Sequence, residues 1–238
     1  MVTALILSGG TGRRMGMDMP KQYIEVNDRP IISYCMQTLM AHEWIDAVQI
    51  VAEEMWRDMI RGCLDSLYDH RWTTSVIPQD KFKGFSNPGE TRQLSILSGL
   101  EDIRKYAGDS DHVLIHDAAR PMLSAAQITE CLEAAAGHDG VIPVLPMKDT
   151  VYCSEDSRTI TSLLSRSQIF AGQAPELFAL GKYYEANRML LPDLIRQING
   201  STEPAVMAGM DIAMIPGDEG NYKITTRADL ERFQEQER

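Results

Sequence analysis

Apolar residues fall along this chain in short blocks whose spacing switches between two periods. Residues 2–7, 47–52, 112–116 and 140–145 form short apolar runs, as expected of strands buried on both faces. Between them, 31–41, 55–67, 90–106 and 125–136 place apolar side chains three and four apart, which predicts helices. Leu94, Leu97, Leu100 and Ile103 are the clearest such set. Pro30 opens the first helix, where its missing N–H costs nothing. Residues 74–77 read as a short third strand, 177–190 as a helix, 211–215 as a strand and 227–235 as a C-terminal helix. Strands separated by helices predict parallel β-α-β units in an α/β, three-layer α/β/α sandwich. With no internal repeat or Pro/Ser-rich linker, 1–238 reads as a single domain.

Residues 147–169 break the rhythm. Two short strands, 150–153 and 159–163, flank a polar turn at 154–158, and such a hairpin has too little core to stand alone. Val151, Ile160, Leu163 and Leu164 need another surface, so the segment is expected to be a protruding β-arm that docks on a second subunit. The polar stretch 78–88 reads as a long loop, either a mobile lid or solvated surface.

Charge narrows the function. A net charge of −11 argues against broad binding of nucleic acid or anionic membranes. No apolar run approaches the roughly 20 residues of a membrane span. The first residues lack a basic n-region, so they read as a strand and not as a signal peptide. Cys35, Cys63, Cys131 and Cys153 are scattered without CxxC spacing, which predicts no zinc site or disulfide framework and suits a reducing cytoplasm. One region runs against the acidic balance. Between Ser8 and Tyr23 stand Arg13, Arg14 and Lys21 against only Asp18.

That region opens with Ser8, Gly9, Gly10, Thr11 and Gly12 directly after a predicted strand. Glycines let consecutive N–H groups approach a ligand, forming a concave anion site, and the basic residues suit a triphosphate. The alternative is a plain glycine turn followed by solvated charge. No Lys-Ser/Thr pair follows, so the loop is not a Walker A sequence, and Met15 stands where a dinucleotide fingerprint needs its third glycine. Asp117 follows a buried strand at the carboxyl edge of the expected sheet, where a carboxylate can hold Mg²⁺ against substrate phosphates. The alternative is a turn cap before Pro121. His116 reads as a structural hydrogen-bonder. Ser95 is either a ligand-reading hydroxyl or a helix-face serine, and Lys223 either a phosphate ligand or a surface charge. Neither G-x-S-x-G nor H-E-x-x-H occurs.

The stretch from Leu5 to Tyr23 resembles the signature of the 2-C-methyl-erythritol 4-phosphate and ribitol 5-phosphate cytidylyltransferases. Three later stretches match in order: Gly89-Glu-Thr-Arg-Gln-Leu-Ser95, His116-Asp-Ala-Ala-Arg-Pro121 and Gly220-Asn-Tyr-Lys-Ile-Thr-Thr226. The resemblance implies a Rossmann-like nucleotidyltransferase fold, CTP and a small polyol phosphate as substrates, Mg²⁺ on Asp117, and a homodimer formed through the arm. It implies that Arg14, Lys21 and Lys223 neutralise the transition state. Gly89, Glu90, Arg92, Ser95 and Ala118 join the glycine loop in binding the nucleotide. Asp149, Thr150, Arg166 and Thr202 fall to the acceptor. Two departures touch the acceptor side: Ala174 stands where the family usually has threonine, and its Thr-Asp acidic segment reads Asn199-Gly-Ser-Thr-Glu203, with Thr202 as the candidate substitute. Met19-Pro20-Lys21, Gly172-Gln173 and Ile224-Thr225-Thr226 lean towards the ribitol-phosphate branch. The competing readings are a transferase of another nucleotide or sugar phosphate, and a non-catalytic nucleotide-binding module.

Overall fold

Strand β1 (Val2–Leu7) sends alternate side chains into two different cores. Ala4 and Ile6 join a cluster closed by α1 (Ile31–Ala41), α2 (Arg57–Tyr68) and α4 (Ala125–Glu133). Leu5 faces the opposite way, into a cluster closed by α3 (Arg92–Ile103) and α5 (Leu180–Arg188). Two-sided burial is why these strands are apolar throughout and not alternating. The result is a three-layer α/β/α sandwich, seen in a computed structural model that describes residues 1–10 and 19–237.

The central sheet also contains β4 (Ala47–Val51), β5 (Phe82–Ser86), β6 (His112–Asp117), β7 (Gly140–Pro146), β10 (Phe170–Gly172), β11 (Glu176–Ala179) and β12 (Ile212–Pro216). Two ribbons lie outside it: β2 (Glu25–Val26) with β3 (Arg29–Pro30), and β8 (Tyr152–Cys153) with β9 (Ser162–Leu163). From β5 the order runs β4, β1, β6, β11, β7, with β12 on the far side of β7. All of these are parallel except β11, which runs antiparallel between β6 and β7, as β10 does against β7. The parallel strands therefore end on one edge, and β11 begins there. Two short helical elements complete the chain, α6 (Glu203–Met207) and α7 (Arg227–Gln236).

Three expectations need correction. Residues 74–77 form no strand; the sheet gains β5 instead, within the stretch expected to be a polar loop. Phe82 and Phe85 pack edge-to-face at 5.1 Å, and Gln49 Nε2 donates to Ser86 Oγ at 3.0 Å. Lys81 beside them is buried, its Nζ donating to the carbonyls of Met40 and His42 at 2.8 and 2.7 Å, at the C-terminus of α1. Partners distant in sequence make this polar run the edge strand of the sheet, paired to β4, so it is not a lid. The third correction concerns 177–190, whose first part is β11 and only the rest a helix. Leu177 and Phe178 continue without a break into Leu180, and a short apolar run does not reveal its own period.

The arm has the expected form. Its turn is held by Asp156, which accepts from Arg158 N and Thr159 N, both at 2.8 Å. No helix among the described residues is long and apolar enough to cross a membrane.

Candidate active site

The carboxyl ends of β1, β4, β5 and β6 bring the predicted nucleotide residues to one edge. After β1, Ser8 Oγ donates to the Tyr23 hydroxyl at 2.8 Å, and that hydroxyl donates to Ser8 O at 2.9 Å. Gln22 Nε2 spans Ser8 O and Gly10 O at 2.9 and 2.8 Å. Tyr23 in turn stacks on Trp56 at 4.5 Å. A single 3₁₀ turn, Lys21–Tyr23, thus clamps the root of the glycine loop and sets half-buried Lys21 beside it. Thr11, Gly12, Arg13 and Arg14 lie outside the described residues.

Gly9 earns its place by packing. A Cβ there would lie 2.6 Å from Pro88 Cβ, whereas at Gly10 it would meet open space. Gly89 has no room for a side chain either, with Leu94 Cβ 2.5 Å from where its Cβ would stand. Its N–H donates to Ser95 Oγ at 3.0 Å, and Ser95 Oγ donates to Thr91 O at 2.9 Å. Buried Ser95 therefore locks the turn that launches α3, whose N-cap is Thr91. Exposed Glu90 pairs with Arg196, and Ala118 N donates to Leu7 O, tying β6 to β1.

Asp117, at the end of β6, is 7% exposed and meets three cations. Arg92 Nη2 lies 3.1 Å from Oδ1, Lys223 Nζ 3.0 Å from Oδ2, and Arg120 Nε 3.5 Å from Oδ2. Burial alone would raise this carboxyl's pKa; Arg92, Lys223 and Arg120 outweigh it and hold the group well below the usual carboxylate range. The turn that follows is made by the main-chain oxygen of Asp117, which accepts from Arg120 N at 3.0 Å; the side chain is given to the cations. Lys223 reaches it because its segment is docked from both sides: Ile224 N donates to Ala119 O, Asn221 Nδ2 to Ala174 O, and Arg120 Nη1 to Asn221 O.

Fully buried His116 is the structural partner that its place predicts. Its Nε2 lies 3.0 Å from Arg120 O, an atom that only accepts, so the neutral ring carries its proton on Nε2. Burial pushes its pKa down to about 4.

The acceptor candidates separate into two places. Asp149, Thr150 and Arg166 are exposed on the arm, where Arg166 Nη1 donates to Lys148 O at 3.0 Å. Thr202 sits instead in the loop before α6, donating to Glu176 Oε2 at 2.8 Å. Glu176, Ser201, Arg120, Gln22 and Tyr23 carry no role in the sequence reading, although all but Glu176 lie within the stretches it quotes. For Glu176 a signal exists: it is a lone acid opening an otherwise apolar strand. Burial pushes its carboxyl upward, countered by Arg92, Ser201 and Thr202.

Among the described residues no group of three or more His, Cys, Asp or Glu side chains is placed to hold a metal ion. Asp117 already carries three cations, so it makes no resident metal site by itself. A carboxylate has about four acceptor positions, and Mg²⁺ in nucleotide sites usually takes one or two carboxylates plus phosphates. The donor set thus fits an ion that arrives with a triphosphate.

The sequence matches the profile of "IspD: 2-C-methyl-D-erythritol 4-phosphate cytidylyltransferase" over residues 2–235. It is 31% identical to the 2-C-methyl-D-erythritol 4-phosphate cytidylyltransferase of Clostridium beijerinckii, with 97% of this chain and 95% of that one aligned. It is 25% identical to the ribitol-5-phosphate cytidylyltransferase of Lacticaseibacillus paracasei over 98% of this chain and 96% of the other. A bifunctional IspD/IspF enzyme of Bradyrhizobium diazoefficiens is 32% identical over 97% of this chain, which spans about half (54%) of that relative's length. Among solved structures, the Francisella tularensis 2-C-methyl-D-erythritol 4-phosphate cytidylyltransferase superposes with a TM-score of 0.77 at 25% identity, covering 98% and 99% of the two chains. With its profile matched almost end to end and a sheet edge built from the motifs that carry the resemblance, the chain belongs to the IspD family of cytidylyltransferases, which are nucleotidyltransferase enzymes.

Proposed function

We propose that the chain transfers CMP from CTP to the phosphate of a small polyol phosphate and releases pyrophosphate. The observation that carries this reading is the cluster of Arg92, Arg120 and Lys223 on Asp117, beside a clamped glycine loop at the carboxyl edge of the sheet. A phosphate oxygen of the acceptor attacks the α-phosphorus of CTP. One P–O bond forms, the α–β phosphoanhydride bond breaks opposite it, and the electron pair leaves on pyrophosphate. A phosphate dianion is already a nucleophile, so no general base is needed, and neutral His116 is not poised as one. Positioning and charge neutralisation remain as the work, and Lys21, Lys223 and Arg14 are assigned to it. Asp117 is the residue that would hold Mg²⁺ arriving with the triphosphate, and the ion would supply further positive charge on the phosphates.

Ribitol 5-phosphate and 2-C-methyl-D-erythritol 4-phosphate are the acceptors proposed, with the first favoured by the Met19-Pro20-Lys21, Gly172-Gln173 and Ile224-Thr225-Thr226 pattern. A homodimer through the arm belongs to the same proposal: Tyr152, Ile160 and Leu163 are 55%, 66% and 64% exposed and lack a surface of their own. The test is pyrophosphate release from CTP and Mg²⁺ with ribitol 5-phosphate, methylerythritol 4-phosphate, glycerol 3-phosphate and erythritol 4-phosphate, repeated with ATP, GTP and UTP. Turnover that requires CTP and one polyol phosphate supports the reading. Equal turnover with another nucleotide, or CTP binding without turnover on any acceptor, overturns it.

A further inference from the structure

Glu176 opens β11 at the same sheet edge and is 8% exposed. A buried acid costs desolvation unless donors meet it. Two hydroxyls do so: Ser201 Oγ donates to Oε1 at 2.6 Å, and Thr202 Oγ1 to Oε2 at 2.8 Å. Buried Ser201 is itself pinned. Its carbonyl accepts from the Tyr183 hydroxyl at 2.6 Å, and its Oγ accepts from Arg92 Nη1 at 2.7 Å. Asp117, Arg92, Ser201, Glu176 and Thr202 thus form one continuous chain of bonds from the cation cluster to the 201–202 loop.

A hydroxyl has one proton and two lone pairs. With its proton committed to Glu176, the half-buried Thr202 oxygen has only lone pairs to offer. It can accept a hydrogen bond and has no donor for an anion. A phosphate gains nothing there, whereas a carbon-bound hydroxyl, which brings its own proton, does.

We propose that Glu176 is a positioning residue that turns Thr202 into a pure hydrogen-bond acceptor, so that Thr202 reads a hydroxyl of the polyol chain and not the acceptor's phosphate. The inference rests on the cytidylyl-transfer reading above and adds an orientation to it: hydroxylated chain towards residues 201–202, phosphate towards the cations. It also accounts for the missing acidic segment. Glu203, the acid of that segment, is engaged by Asn199 N and Gly200 N at 2.9 and 3.3 Å, and the carboxylate one hydrogen bond from Thr202 is contributed instead by a strand.

The test compares acceptor KM, CTP KM and kcat in wild type, Glu176→Gln, Thr202→Val and the double variant. A glutamine at 176 offers an amide N–H to Thr202, which frees the hydroxyl proton to point outward. Glu176→Gln and Thr202→Val should each raise acceptor KM by about tenfold, leave CTP KM within about twofold, and show no additivity in combination. Their preference for a polyol phosphate over an alkyl phosphate of equal length should shrink. Adding Thr202→Asp to Glu176→Gln restores an acceptor-only group and should recover acceptor KM. Thr202→Val keeps shape at a half-exposed position, so it tests the idea even if changes at 176 unfold the chain. Unmoved acceptor KM with an active wild type, additive effects, or a parallel fall in kcat with both KM values raised overturns this inference alone. A wild type that releases no pyrophosphate with any polyol phosphate overturns the underlying reading, and this inference with it.

Discussion

The Asp117 cluster and the 147–169 arm are both polar regions at the rim of one sheet, yet they are built in opposite ways. Around Asp117 the carboxylate is buried and its three cations are partly buried, each charge has a partner of opposite sign, and the partners come from the end of β6 and the turn after it, α3 and the segment before α7. Desolvation has already been met there by folding, so the triphosphate of the proposed reaction would encounter oriented charge without reorganising water, which is where electrostatic catalysis gains most. On the arm the charges are solvated, the ribbon has two residues per strand, and its large apolar side chains face solvent. The first region is complete within one chain. The second leaves Tyr152, Ile160 and Leu163 uncovered within one chain, as the proposed dimer requires.

The comparison breaks most visibly at Asp117. Asp117→Ala leaves three cations facing each other with no carboxylate. Removing one partner of a buried pair costs about 3–5 kcal/mol, here towards the lower end because Lys223 is one-third exposed. Turnover should fall by about 10²–10³ or more, and the urea midpoint should drop as well. Loss of activity without loss of stability would mean that the cations are solvated enough not to need the carboxylate.

His116 sharpens the contrast through pH. The unfolded chain takes up this proton near the ordinary value of 6.5, while burial keeps the folded imidazole neutral down to about pH 4. Stability is therefore fully present above pH 6.5 and declines as pH falls from 6.5 to 4, by about 3 kcal/mol at most. Asp117 adds a decline in the same direction, but only below the normal carboxylate range, so the two windows separate. Urea titrations between pH 4 and 7.5 should show this slope in wild type and a flatter one in His116→Gln. An equal slope in both would place the titrating group elsewhere.

The parts of the site legible in sequence are those encoded by contiguous residues. Ser8 to Gly10, Asp117 and Lys223 sit in motifs whose backbone shape is local, and the structure brings them to one edge. Glu176 and Ser201 were not legible, because their pairing joins the head of β11 to a loop 25 residues on. Residues 82–86 failed for the same reason: Lys81 and Ser86 look solvated until Met40, His42 and Gln49 are brought to them. β11 hid in a helix because Glu176–Ala179 is too short for its period to show. The arm was legible since its evidence was negative, an apolar set with no local core to enter.

The smallest expected effect lies on that arm. Leu163 is 64% exposed on β9, and an exposed side chain contributes little to the stability of its own chain. Leu163→Asp should therefore leave the melting temperature measured on dilute protein nearly unchanged. If the arm packs on a second copy, the same substitution places a charge in an apolar contact at both symmetry-related ends. Burying a leucine is worth about 1.5–3 kcal/mol, so the dimer dissociation constant should rise by at least about tenfold by analytical ultracentrifugation. Activity per chain should then fall on dilution at concentrations where wild type holds constant, because the arm that carries Arg166 loses its docking surface. Ile160→Asp should act alike, whereas Arg158→Ala, in the solvated turn, should do neither. A wild type that is monomeric and fully active at assay concentration would end the contrast, leaving the arm as a ribbon with no partner to complete it.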